Sequence, residues 1–131
     1  MSRSGKRAAV RLAALLTITG TLHFATPKPF DRIVPTALPG TARFWTYASG
    51  VAELGLAGLL AVPRTRRAGG ALAAAFFVAV FPGNVKAVQV LWGNPALRAL
   101  AIARLPLQIP LVTQALAARE GGREQSGPLV R

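Results

Sequence analysis

Long apolar runs, separated by short polar or proline-rich breaks, dominate the chain. They cover about residues 8–25, 45–62, 68–92 and 97–117. A helix rises about 1.5 Å per residue and the hydrocarbon core of a bilayer is about 30 Å thick. By that measure the first two runs are marginally short, the third is long enough to tilt and the fourth fits. Helices of a soluble bundle carry a polar face. Residues 55–62 and 71–81 carry none. The pattern therefore predicts an all-α fold, a four-transmembrane-helix bundle over residues 1–118. The remaining 119–131, mixing Gly, Glu, Arg, Ser and Pro, are expected to form a disordered cytoplasmic tail. Residues 1–6 are expected to be similar.

The break between the first two runs reads TPKPFDRIVPTALPGTARF. Pro27, Pro29, Pro35 and Pro39 forbid one long helix. Phe30, Ile33, Val34 and Leu38 nonetheless share one face of a short one. This spacing predicts a short proline-rich helical cap over 29–37, at the interface or re-entrant. A plain proline-stiffened connector is the other reading.

Charge gives the runs an orientation. The chain has 131 residues, 52% hydrophobic and only 15% charged, with 16 Lys or Arg against four acids. A net charge of +12 invites a nucleic-acid reading, but the cations lie in clumps between neutral stretches. Arg3, Lys6, Arg7 and Arg11 precede or flank the first run, Arg64, Arg66 and Arg67 fill one break, and Arg119, Arg123 and Arg131 lie near the end. The opposite side would hold only Lys28, Arg32, Arg43 and Arg98. Excess positive charge stays in the cytoplasm, which predicts an inner-membrane protein with both termini cytoplasmic. Trp45 and Trp92 then fall at outer helix ends, where indoles favour the headgroup zone. The expected partner is the lipid bilayer, not nucleic acid. The first run does not read as a cleaved signal peptide, because cutting after Ala25 would place His23 at −3, where a small residue is needed.

Polar residues inside the spans carry the chemistry. A charge at mid-bilayer costs at least ~2.5 kcal/mol. His23, Glu53, Asn84, Lys86, Gln89, Arg104 and Gln108 fall within or near the runs. Helix rise puts Glu53 and Asn84 about 12 Å from the outer helix ends, Arg104 about 10 Å and His23 roughly 3 to 5 Å. Glu53 shares a face with Ser49, Gly50 and Ala57, and small residues let helices approach closely. Arg104 is its expected ion-pair partner, since one buried charge without the other is costly. Lys86 projects away from Asn84 and is expected to snorkel outward. Pro82, Pro106 and Pro110 should kink their helices and release carbonyls. With no cysteine and a single histidine, no metal site or disulfide is predicted.

The segments HFATPKPFDRIVPTALP, YASGVAELGLAGLLAVPRTRR and AVFPGNVKAV, over about residues 20–92, resemble the DoxX-like family of small bacterial membrane proteins. The likeness rests on the order of His-Phe, Ile-Val-Pro, Leu-Pro, Ser-Gly-x-x-Glu and Phe-Pro-x-Asn. It implies a four-helix membrane bundle and, at family level only, a place beside quinone-linked or oxidative-stress complexes.

Two readings stand. In one, His23, Glu53, Asn84, Arg104 and Gln108 form a ligand or proton-relay site for a quinone-like molecule, in an accessory subunit whose partners are other membrane or peripheral redox subunits. In the other they fix helix register in a structural or assembly subunit. A stand-alone enzyme is not expected, and a homo-oligomer is compatible with both.

Overall fold

A computed structural model describes residues 3–123, which are helical with no strand among them. In chain order the helices are α1 (Arg3–Ala25), α2 (Pro27–Asp31), α3 (Ala42–Ala61), a 3-10 turn (Pro63–Thr65), α4 (Arg66–Ala79), α5 (Phe81–Val90) and α6 (Pro95–Arg123).

Local chemistry explains the boundaries. Gly40 takes φ 84° in the turn before α3, a left-handed conformation that suits a residue without a Cβ. Thr41 then caps α3, its hydroxyl accepting from the Phe44 N–H at 3.2 Å. Asn94 does the same for α6, accepting from the Ala96 and Leu97 N–H groups, with Pro95 in the first helical position. The long third run divides at Val80 into α4 and α5. Pro82 has no N–H for the Val78 carbonyl, so the chain restarts its helix with the proline in the first turn. Pro106 and Pro110, in contrast, lie inside α6 without ending it.

Three boundaries differ from expectation. Helix α1 begins at Arg3 and so absorbs most of the segment expected to precede it. Helix α6 runs to Arg123, five residues into the expected tail; 124–131 lie outside the described residues. The helix expected over 29–37 is instead α2, only five residues long. Beyond it the chain makes separate turns, Ile33 N–H to Phe30 and Leu38 N–H to Pro35, because Pro35 disfavours helical geometry at Val34.

The stretches Arg3–Ala25, Pro63–Val90 and Pro95–Gly121 are each long and apolar enough to cross a bilayer. Helix α3 is not among them, since Trp45, Thr46, Tyr47, Ser49 and Glu53 dilute its apolar character. Helices α3, α1, α6 and α4 pack in a closed circuit, each against the next and α4 back on α3. Leu12, Leu16, Leu56, Leu60 and Phe77 meet alanines of α4 and α6 at the centre. The outer faces are bare: Ile109 is 70% exposed and Val51 63%. Apolar surface on that scale is what a hydrocarbon solvent would cover.

Glycines set the closest approaches and give the ends their identity. A Cβ on Gly5 would lie 2.9 Å from the Ala117 carbonyl oxygen, and one on Gly69 the same distance from Leu59 Cβ. The start of α1, the α3–α4 turn and the end of α6 therefore share one end. At the other, Asp31 ties α2 to α3. Its carboxylate accepts from Thr46 Oγ1 at 2.6 Å and from Arg43 Nε and Nη2, both at 2.9 Å. Lys86 of α5 donates to the Val34 carbonyl across the same loop.

The Thr46 hydroxyl, followed by Arg43, holds the Asp31 carboxyl below the usual carboxylate range. A lowered pKa gives stability that is present above about pH 4, the ordinary value, and is lost as pH falls through the lowered one. In acid titration of the thermal midpoint in micelles, Asp31→Asn should flatten the part of the profile just below pH 4 relative to wild type. A profile superimposable on wild type would show that the Asp31 contacts do not contribute.

Candidate functional site

The α1–α3 seam is close because it is built on small residues. A Cβ on Gly50 would sit 2.9 Å from His23 Cβ, and one on Gly20 would sit 3.2 Å from Glu53 Cβ. This approach brings His23 Nδ1 to 3.1 Å from Glu53 Oε2. Both side chains are buried. The same Nδ1 lies 2.7 Å from the Thr19 carbonyl, one turn back in α1. A carbonyl accepts only, so the Nδ1 proton is directed to Thr19. Glu53 Oε2 keeps this close contact, ionic when His23 is protonated, but no hydrogen bond. Phe30 of α2 stacks over the imidazole, centroids 3.8 Å apart and planes 19° from parallel.

Below this pair is a cavity of about 350 Å³. Its polar lining is Thr19, Glu53, Arg104 and Gln114, and the remainder is leucine, proline and Phe77. Leu15 of α1 and Leu107 of α6 line it and are also exposed on the outer surface, Leu107 by 52%. The cavity thus opens sideways, between α1 and α6.

The Glu53–Arg104 ion pair expected from depth is not made. Glu53 meets His23 instead, and Arg104 Nη1 is buried without a hydrogen-bond partner. Equal depth fixes the level of two groups but not the direction each faces around its helix. Gln108 is not in the cavity lining, but its amide N–H donates to the Phe77 carbonyl beside the α4–α5 break. Asn84 on α5 does not line the cavity either. Glu53 Oε2, Asn84 Nδ2, Arg104 Nη1 and Gln108 Oε1 are the buried side-chain atoms without a hydrogen-bond partner among the described residues. Two donate and two accept.

Sequence reasoning missed Thr19 and Gln114. A signal for each was present: Thr19 precedes His23 by four residues, and Arg104, Leu107, Leu111 and Gln114 follow helical spacing along α6. Among the described residues no group of His, Asp and Glu is placed to hold a metal ion.

An all-helical chain with three candidate membrane spans and a mostly apolar cavity that carries four polar side chains is the class these features define. The chain belongs to the family described as a domain of unknown function, DUF8561, whose profile matches residues 12–119. No curated protein and no solved structure matches it.

Proposed function

We propose that this protein is a DoxX-like accessory subunit of a membrane redox or oxidative-stress system, holding a quinone-like ligand in the Glu53–Arg104 cavity. In this reading α3 also crosses the membrane, giving a four-helix bundle in the bacterial inner membrane. The segment from α2 to Gly40 caps it outside, and both termini are cytoplasmic. Clustering of the Arg3–Arg11, Arg64–Arg67 and Arg119 cations at one end supports that orientation.

One observation carries the ligand reading. Groups of opposite character line one cavity, each with a buried polar atom that makes no hydrogen bond, and they do not bond each other. Unmade buried hydrogen bonds are costly, so a ligand that supplies both is favoured. Arg104 donates and suits a carbonyl or anionic oxygen. Glu53 accepts and suits a hydroxyl. A quinone headgroup offers the first in its oxidised form and the second when reduced, and the leucine lining suits its flat apolar ring. His23 Nδ1, 3.1 Å from Glu53 Oε2, would pass a proton to it once the ring turns from the Thr19 carbonyl.

The test is solvent extraction of protein purified in mild detergent. Wild type should carry quinone, and Glu53→Gln and Arg104→Met should each lose most of it while remaining folded. Wild type that neither carries quinone nor takes it up when it is added in micelles would sink the ligand reading. The His23–Glu53 contact favours a second reading, in which the cluster only holds α1 to α3. Glu53→Gln would then lower the thermal midpoint without changing bound quinone.

A further inference from the structure

The exposed cations of α1 are arranged more narrowly than topology requires. Arg3, Lys6, Arg7 and Arg11 recur at spacings of three and four and are all exposed. With Val10 they border a shallow, open depression of about 440 Å³ on this helix, walled by the apolar stems of the four side chains with their charged ends at its edge. From Arg3 to Arg11 is about 12 Å along the helix, within an arc of about 140°. None of the four forms an ion pair with a described residue.

The same face continues without charge. Val10 is 53% exposed, Ala14 is exposed and Ile18 is 61% exposed. A cationic patch therefore leads into a bare apolar track one helix wide. The contact of Gly5 with Ala117 and Gly121 seats the opposite side of α1 against α6, so the patch has a fixed backing.

We propose that this face is a binding site for an anionic phospholipid. The phosphate lies among Arg3, Lys6, Arg7 and Arg11, and an acyl chain runs along Val10, Ala14 and Ile18. Arginine pairs with phosphate oxygens through two parallel N–H groups, which explains three arginines where a solvated face needs only charge. Charge complementarity selects the headgroup, and the apolar track selects a lipid over a free anion. The site rests on the membrane reading of α1, but is independent of what the Glu53–Arg104 cavity holds.

Native mass spectrometry of the full chain, purified in neutral detergent, tests it with phosphatidylglycerol, phosphatidylcholine or inorganic phosphate added. Wild type should retain phosphatidylglycerol in preference to phosphatidylcholine. Arg7→Gln with Arg11→Gln should weaken phosphatidylglycerol binding roughly thirtyfold, from the attraction each cation supplies near a surface. Arg64→Gln with Arg67→Gln removes as much charge from the same end and should leave binding close to wild type. The site would be overturned by no preference in wild type, by equal loss in the two double variants, or by displacement of the lipid by millimolar inorganic phosphate, which would indicate a free-anion site. If the first double variant does not fold, wild type alone decides. Raising salt from about 50 to about 500 mM should abolish the preference, and an unchanged preference would overturn the proposal.

Discussion

Arg66→Met should cost this protein about 3 kcal/mol or more of stability, the largest effect expected of any cation in the chain. Arg66 is 3% exposed. Its Nε donates to the Leu60 carbonyl at 2.9 Å and its Nη2 to the Ala61 carbonyl at 3.1 Å. These are the last carbonyls of α3, where Val62 has turned extended and no further helical turn supplies donors. Hydrogen bonds from a charged group contribute about 1.5–3 kcal/mol each. Methionine keeps much of the volume and supplies neither. Lysine offers a point charge without the planar fork, so Arg66→Lys should recover only part of the loss. Arg64→Gln and Arg67→Gln, both at exposed positions, should stay within about 0.5 kcal/mol of wild type. Unfolding in mixed micelles, followed by helical circular dichroism, ranks the variants. An Arg66→Met protein as stable as wild type would mean that the two carbonyls find other donors.

The same substitution should have opposite effects at Gly70 and at Gly55 or Gly58. At Gly70 a Cβ would lie 2.6 Å from both the Ala115 carbonyl oxygen and the Arg119 nitrogen, and 2.9 Å from Arg119 Cα. All three are backbone atoms, so no side chain can rotate aside. Gly70→Ala must push α4 off α6. That opens a seam in which Ala73, Ala74, Ala115 and Ala118 are buried, and side chains this small cannot follow to refill it. Overpacking typically costs 1–3 kcal/mol, and lost dispersion along the seam adds to that. Gly55 and Gly58 on α3 have nothing within 4 Å of a built Cβ. There alanine should stabilise by up to ~1 kcal/mol through helix propensity alone. Gly70→Ala matching Gly55→Ala in the same unfolding assay would show that α4 and α6 are not in such close contact.

The helices were legible where a single physical variable decides them. Apolar runs locate them, and Pro82 marks the break at Val80, because both depend on local sequence. The inward face of α3 was legible for the same reason: Gly50, Glu53 and Ala57, at spacings of three and four, are buried and Ser49 is half-buried. Partners were not legible. Pairing Glu53 with Arg104 used depth, which rise per residue supplies, but their separation also depends on how each helix is rotated. His23 lies closer because Gly20 and Gly50 bring α1 onto α3. The bonds of Arg66 were not legible for a related reason. In the sequence it is one of three arginines in a break, and only the extended Val62 allows its side chain to fold back onto α3. Asp31 drew no notice because Thr46 and Arg43, its partners, are 15 and 12 residues distant.

The sideways opening between Leu15 and Leu107 changes what affinity means for this protein. In the membrane reading proposed above, a molecule reaching Glu53 and Arg104 by that route would leave the acyl chains and never cross bulk water. Its occupancy follows its mole fraction in the surrounding lipid, not its aqueous concentration. For the quinone-like ligand proposed above, diluting the bilayer with inert lipid should empty the cavity, while diluting the buffer should leave it filled.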